Sequence, residues 1–133
     1  MIQQFIAPIP PTLNQQINLN RTHWAKGASS KKQHTQTIAL IARSYALKPF
    51  PGNVWLDFHW QVKSFACDPD NVAGASKFIM DGLVNAGILT KDSLMVIQSP
   101  VIHRYSRGKN EVIVTMSDRP IWELRAIDED IAA

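Results

Sequence analysis

Residues 54–62 alternate between apolar and mixed side chains, and this run constrains the fold more than any other part of the chain. Its apolar positions are Val54, Leu56, Phe58, Trp60 and Val62. Because successive side chains of a strand point to opposite faces, the run predicts a strand with one face in a hydrophobic core. The strand leads to Asp68 and Asp70, two residues apart. Two such close carboxylates repel each other, so a metal ion, a lysine or water must compensate their charge.

Prolines, glycines and the spacing of apolar residues divide the rest of the chain into elements. Residues 2–7 predict a short strand ended by a run of prolines, and the Asn- and Gln-rich residues 12–30 predict a long loop. Ser29 or Ser30 is expected to cap a helix that runs to about residue 48. A second helix is expected from residue 73 or 75 to residue 85, with Gly87 in the left-handed position after it. Its predicted buried stripe is Ala75, Ile79, Leu83 and Ala86.

Two more strands are predicted after the second helix, at residues 94–105 and 111–117. The turn SRGKN between them predicts that they pair as an antiparallel hairpin. The last residues, 120–133, are expected to add a short helix. The predicted fold class is α/β (α+β): one domain over residues 1–133, with a small mixed β-sheet, a C-terminal antiparallel hairpin and two main covering helices.

The charge of the chain is unevenly distributed. Residues 1–117 carry 12 Lys/Arg and 6 Asp/Glu, whereas the acidic tail, residues 118–133, carries 2 and 5. A basic body is compatible with a polyanionic partner, although many proteins of similar charge bind none. The single cysteine, Cys67, cannot form an internal disulfide, and no run reaches the ~18 apolar residues of a membrane span. We therefore expect a cytoplasmic protein with no membrane partner.

A third carboxylate, Asp92, lies just before the next predicted strand. In an extended segment residues i and i+2 share a face about 7 Å apart, so Asp68 and Asp70 can reach one point. If the next strand pairs beside the first, all three carboxylates converge near the start of the second helix. Oxygen ligands of this kind suit Mg²⁺ or Mn²⁺. The alternative is that these aspartates are ordinary solvated turn residues.

Two familiar patterns of paired aspartates were compared with this stretch. A calcium-binding EF loop is excluded, because counting from Asp68 its required glycine would be Ala73 and its required glutamate Ile79. Residues 68–72 also resemble the first motif of haloacid-dehalogenase-type phosphatases. Those enzymes use a larger doubly wound sheet and later acidic residues, and no Asp-Asp or Gly-Asp pair follows here. A phosphatase stays open as an alternative.

Residues 68–93 as a whole resemble the RusA family of Holliday-junction resolvases of bacteria and their phages. The family pattern is D-x-D-N, a helix with K-x-x-x-D-x-L, then A-G, an apolar turn and an aspartate. The matching residues, in order, are Asp68, Asp70, Asn71, Lys77, Asp81, Leu83, Ala86, Gly87 and Asp92. The Pro-Pro-Thr-x-Asn segment at residues 10–14 and the chain length fit as well, so the resemblance covers most of the chain.

The resemblance implies a homodimer that nicks branched DNA at four-way junctions. It also implies Mg²⁺ as the cofactor, with Mn²⁺ as the alternative. It implies that Asp68, Asp70 and Asp92 are catalytic metal ligands and that Lys77 is a catalytic lysine. Residues 72–76 make the interval before Lys77 longer than in the family, which an extra turn of chain would absorb. An alternative for Lys77 is a surface pair with Asp81, worth ~0.2–0.5 kcal/mol.

Basic residues in two regions are candidates for contacts with DNA phosphates. They are Lys26, Lys31, Lys32, His103, Arg104, Arg107 and Lys109. A solvated hairpin tip has the same composition, so a structural reading of the last four stays open. Trp24 either packs against a sugar or base, or anchors the core or a dimer. A catalytically silent DNA-binding module is the third functional alternative.

Overall fold

A computed structural model describes residues 1–121, and eight helices and strands lie within them. They are β1 (Ile2–Pro8), α1 (Leu13–Thr22), α2 (Trp24–Ser44), β2 (Trp55–Val62), α3 (Pro69–Ala73), α4 (Ser76–Asn85), β3 (Ile102–Arg107) and β4 (Glu111–Ser117). The helix expected at residues 120–133 falls mostly on 122–133, outside the described residues. No helix within residues 1–121 combines the length and the apolar character needed to cross a bilayer.

The four strands form one mixed sheet in the order β1-β4-β2-β3. Strand β4 pairs antiparallel with both β1 and β2, and β3 pairs parallel with β2. The inward residues of β2 are completely or almost completely buried, as the alternation predicted: Leu56, Phe58, Trp60 and Val62. One core joins the sheet to α2 and α4, which confirms the mixed sheet with two main covering helices.

The predicted antiparallel hairpin of β3 and β4 is wrong. Strand β2 lies between them, so the connecting turn crosses the end of β2. The Gly108 amide donates to the Val62 carbonyl at 3.0 Å, and a Cβ at Gly108 would lie 2.8 Å from the Gln61 Cβ. A side chain at this position would therefore collide with β2. A turn does connect β3 and β4, as the sequence predicted. A turn sequence does not specify, however, whether the two strands it connects pair with each other.

The predicted loop at residues 12–30 is also wrong, because α1 and the first turns of α2 occupy it. Thr12 begins α1 with a capping box: its hydroxyl accepts from the Gln15 amide, and the Gln15 side chain accepts from the Thr12 amide. Helix α2 starts at Trp24, several residues before the expected serine cap. The polar composition thus concealed α1, which a capping box begins, and the first turns of α2.

The two main helices cross where Gly82 of α4 faces Ile38 of α2. A Cβ at Gly82 would lie 2.5 Å from the Ile38 Cβ and 3.0 Å from the Thr35 carbonyl oxygen, so only glycine permits this approach. The predicted stripe of α4 is confirmed: Ala75, Ile79 and Leu83 are fully buried and Ala86 is partly buried.

Asp92 lies in the segment between the end of α4 and the start of β3. Gly87 has the predicted positive φ of 77°, and the next amide, of Ile88, donates back to the Leu83 carbonyl at 2.9 Å. The strand expected at residues 94–105 begins only at Ile102. The reason is a turn, since the amides of Val96 and Ile97 both donate to the Ser93 carbonyl.

Candidate functional site

Asp68 and Asp70 lie at the start of the short helix α3, after the end of β2. Asp68 is the N-cap in an extended conformation, Pro69 takes the first helical position, and Asp70 is in the first turn. This order follows local rules, because proline suits the first helical position and an acidic side chain is favoured there. Both aspartates are exposed, and no side-chain cap bond ties down Asp68. Their carboxylates are therefore accessible to a ligand.

Asn71, the last residue of the D-x-D-N string, connects this helix to α1. Its Oδ1 accepts a hydrogen bond of 2.7 Å from the Asn14 backbone amide, across 57 residues of chain. Asn14 belongs to the Pro-Pro-Thr-x-Asn segment, so two separate parts of the resemblance meet here. Sequence alone gave no signal for the contact, since the donor is a backbone group that any residue carries.

Tyr105 of β3 fixes the other side of the same segment. Its hydroxyl donates to the Pro69 carbonyl at 2.9 Å. Burial raises the pKa of the Tyr105 phenol, and the negative charge of Asp70 raises it further. The phenol is thus a protonated donor that positions α3, a role that the sequence did not single out for Tyr105.

Lys77 lies in the first turn of α4 and bridges two carboxylates. Its Nζ is 2.8 Å from Asp92 Oδ2 and 3.0 Å from Asp81 Oδ1. The hydrogen bond to Asp92, followed by that to Asp81, raises the pKa of Lys77, and the Lys77 bond lowers the pKa of Asp92. The pair with Asp81 that the sequence offered as an alternative for Lys77 is present, and Asp92 shares the same ammonium. The extra residues before Lys77 are accommodated by α3 and the two residues that follow it.

The three proposed metal ligands do not form one cluster. Within residues 1–121, no three Asp, Glu, His or Cys side chains are grouped so that they could hold a metal ion. Asp68 and Asp70 lie at the start of α3, after the end of β2. Asp92 instead pairs with Lys77 in the first turn of α4.

The side chains fit Mg²⁺ in chemical kind but not in arrangement. Carboxylate oxygens are the ligands that hard divalent cations prefer. In this structure, however, Asp92 Oδ2 is hydrogen-bonded to an ammonium group. The residues do not form a three-carboxylate cation site here, and the assignment of Asp68, Asp70 and Asp92 as metal ligands stays a prediction.

Of the four basic residues around β3, two contact the sheet instead of projecting freely. His103 is half-buried, stacks on Phe58 and accepts a hydrogen bond of 3.0 Å from Trp60 Nε1 at its Nδ1. Burial lowers the pKa of His103, so the neutral ring is favoured. Arg104 Nε lies 3.2 and 3.3 Å from the two carboxylate oxygens of Asp57, a residue only 2 % exposed. These contacts support a structural reading of both residues.

The remaining basic candidates are exposed. Arg107 places its guanidinium 5.3 Å from the centre of the Phe65 ring, and Lys109 lies in the turn between β3 and β4. Lys26, Lys31 and Lys32 all lie on the first half of α2, on the solvent side. These side chains are therefore accessible to a large anionic partner.

Arg104→Met should lower the free energy of unfolding by about 1.5–3 kcal/mol, the usual contribution of a hydrogen bond to a charged group. The buried Asp57 carboxylate then loses the guanidinium that donates to it. Urea denaturation measures the change. Arg107→Met is the matched control, for which less than about 1 kcal/mol is expected because the Arg107 guanidinium lies over the exposed ring of Phe65. Equal losses in the two variants would refute the structural role of Arg104.

Searches for relatives do not supply a function. No protein-family model matches the chain, and no curated protein matches it in sequence. The contacts of the described residues and the residue pattern at 68–93 therefore carry the functional argument.

Proposed function

We propose that this protein is a Mg²⁺-dependent endonuclease that resolves four-way DNA junctions by hydrolysing phosphodiesters in two strands. A homodimer is part of the proposal, because paired cuts need two sites and two-fold assemblies are the commonest oligomers. We place the protein in the cytoplasm, in keeping with its single exposed cysteine. Recombination and repair of DNA are the processes that such an activity would serve.

One observation carries the proposal: Lys77 contacts Asp92 at 2.8 Å across 15 residues of chain. An isolated surface pair on a helix would have involved Asp81 alone. The lysine of the helix motif and the downstream aspartate are two parts of the resemblance that lie 15 residues apart in the chain. Their contact supports a single site built from α4 and the loop that follows it.

The chain's own residues suit work on a phosphodiester. Lys77 supplies a positive charge on a helix, which can stabilise negative charge that develops on a phosphate in the transition state. The Lys77 side chain is about half exposed, so it is accessible to a bound substrate. Asp68 and Asp70 are exposed, nine and seven residues before Lys77, and would be the oxygen ligands of the proposed Mg²⁺, which would polarise the phosphate when bound.

A catalytically silent DNA-binding module is the second candidate, and the same contact favours it. If Asp92 stays bound to Lys77, the protein can present a basic surface to DNA without cutting it. The phosphatase alternative gains no support from the fold. The sheet of residues 1–121 has four strands with a single parallel pair, instead of a larger doubly wound sheet.

A panel of three substrates separates these candidates. The purified protein is incubated with a mobile four-way junction, a linear duplex of matched sequence and a chromogenic phosphate monoester, each with Mg²⁺ or with EDTA. We expect cleavage of the junction alone, and only with Mg²⁺. Hydrolysis of the monoester without any cleavage of DNA would favour the phosphatase. Tight junction binding without product under every condition would favour the silent module.

A further inference from the structure

The N-terminal part of the chain is uniformly basic. The first 56 residues contain six Lys/Arg and no Asp or Glu. Four of these cations are exposed on α1 and the first half of α2: Arg21, Lys26, Lys31 and Lys32. Lys26 lies in the first turn of α2, where a cation opposes the helix dipole, so an anion bound close by is favoured there.

Trp24 is the first residue of α2 and is 80 % exposed. This exposure excludes the core role that the sequence left open for it. The corner that carries Trp24 is well packed, because the Gln16 side-chain amide donates to the Gly27 carbonyl at 3.0 Å and joins α1 to α2. A side chain at Gly27 would collide with Asn20 of α1. A large aromatic ring is therefore held out in solvent on a defined corner.

A cleft of about 330 Å³ runs from Trp24 to the candidate site, between α1, α2 and α4. Lys31 and Lys77 both line it, together with apolar groups that include Phe78. None of the described residues that line it is acidic. Its volume is at the lower end of small-ligand pockets, ~300–1,000 Å³. The cleft combines an exposed aromatic ring, apolar lining groups and two lysines, of which Lys77 also pairs with Asp81 and Asp92.

We propose that this cleft binds an unpaired base of a DNA strand, stacked on Trp24, with the adjacent phosphates near Lys31 and Lys77. The inference rests on the proposed function in that Lys77 belongs to the candidate nuclease site. Base stacking on an aromatic side chain contributes ~1–3 kcal/mol and tolerates any base. A strand that leaves one duplex at a branch point can offer an unpaired base, whereas an intact linear duplex cannot. The cleft thereby distinguishes branched from linear DNA.

The test measures binding in EDTA, where cleavage does not interfere. Fluorescence anisotropy gives the Kd of wild type, Trp24→Ala and Trp24→Phe for a short oligothymidine strand, a four-way junction and a linear duplex. Trp24→Ala should weaken binding of the single strand and the junction about 5- to 150-fold, which corresponds to the loss of one stacked base. Trp24→Phe should recover most of this loss, and duplex binding should not change.

Two controls make the result specific. Leu40→Ala removes another exposed apolar side chain of α2, 63 % exposed, and should leave all three affinities unchanged. Lys31→Met should weaken single-strand binding and lower the slope of log K against log salt by about 0.7 for one lost phosphate contact. Urea denaturation should show unchanged stability for Trp24→Ala, because its side chain is exposed.

Several outcomes would overturn the inference. Equal affinities of wild type and Trp24→Ala for the single strand would do so, as would an equal loss on linear duplex. A change from dimer to monomer in sedimentation, with DNA affinity intact, would show that Trp24 contacts a second copy of the chain instead. If junction cleavage by wild type persists while Trp24 has no effect on binding, the cleft proposal fails and the nuclease proposal stands. If binding depends on Trp24 but the protein never cleaves the junction, the cleft proposal stands and the nuclease proposal fails.

Discussion

Asp70→Asn should lower the rate of junction cleavage about 100- to 1,000-fold, the usual cost of removing one charge-bearing group from a site that stabilises a transition state. Asp70 is exposed in the first turn of α3, where asparagine fits the same space. The folded structure should therefore persist. Junction binding in EDTA should be equal or tighter, because one negative charge near the DNA is removed.

Asp118→Asn is the matched control for Asp70→Asn. Asp118 is also an exposed aspartate, but its carboxylate pairs with the N-terminal amino group at 2.7 Å. We expect cleavage by Asp118→Asn within a factor of about 2 of wild type, as for a surface substitution outside the site. Cleavage rates of the two variants are measured in single-turnover gels. A rate for Asp70→Asn equal to that of its control would remove Asp70 from the proposed site.

Lys77→Met should lower the cleavage rate about 100-fold, since Lys77 supplies the positive charge proposed to stabilise the phosphate. The variant also frees Asp92 and Asp81 from their shared ammonium. The free energy of unfolding should change by less than about 1 kcal/mol, because the Lys77 side chain is half exposed and such pairs contribute little. Cleavage rate and urea denaturation together separate a role in catalysis from a role in folding.

Lys91→Met is the control for Lys77→Met, because Lys91 is an exposed lysine next to Asp92. It should leave the cleavage rate close to that of wild type. If Lys77→Met cuts junctions at the wild-type rate, the contact with Asp92 is only a surface ion pair. If the two lysine variants lose activity equally, a general loss of positive charge explains the effect, and Lys77 has no special role.

The pH dependence of the Lys77–Asp92 pair follows from its pKa shifts. The pKa of Asp92 is lowered, so the stabilisation from its charge is present above the ordinary value of 3.8 and is lost as pH falls through the lowered pKa. The pKa of Lys77 is raised above 10.5, so its stabilisation is lost only as pH rises beyond that value. The pair is therefore ionised throughout the neutral range, and any change of activity there must come from other groups.

Local signals in the sequence predicted the elements with strong periodicity. The alternation of β2 and the apolar spacing of α4 both express burial on one face, which leaves a clear pattern in the residues. Gly87 was also predicted correctly, since its positive φ is a local requirement. These features depend on neighbours in the chain, and so a single sequence suffices to find them.

Features that depend on distant contacts were not predictable in the same way. Helix α1 has no buried residue and gains a contact from Asn71, 57 residues away, although the Thr12 and Gln15 capping box was a signal that could have indicated it. Strand β2 lies between β3 and β4 in the sheet. A turn sequence predicts that two strands are connected, but it does not specify that they pair with each other. The sequence placed His103 among the exposed basic residues. In the structure its ring is half-buried and hydrogen-bonded to Trp60, a tertiary contact that the local sequence does not indicate.

The candidate site was predictable in its residues but not in its geometry. Helix spacing offered a pair of Lys77 with Asp81 as an alternative role, and that contact is present together with one to Asp92. The sequence predicted that Asp92 approaches Asp68 and Asp70, but within residues 1–121 the three carboxylates are not grouped as a metal site. A turn at residues 93–97 stands where a strand was expected.

The central claim is that this chain cuts branched DNA, and mapping the cuts tests it most directly. A mobile four-way junction is labelled on each strand in turn and incubated with the wild-type protein and Mg²⁺, and the products are resolved on a denaturing gel. We predict cuts at symmetric positions in two opposing strands, none with EDTA and none on the linear duplex. Uncut strands with both Mg²⁺ and Mn²⁺, or equal cutting of the linear duplex, would contradict the account.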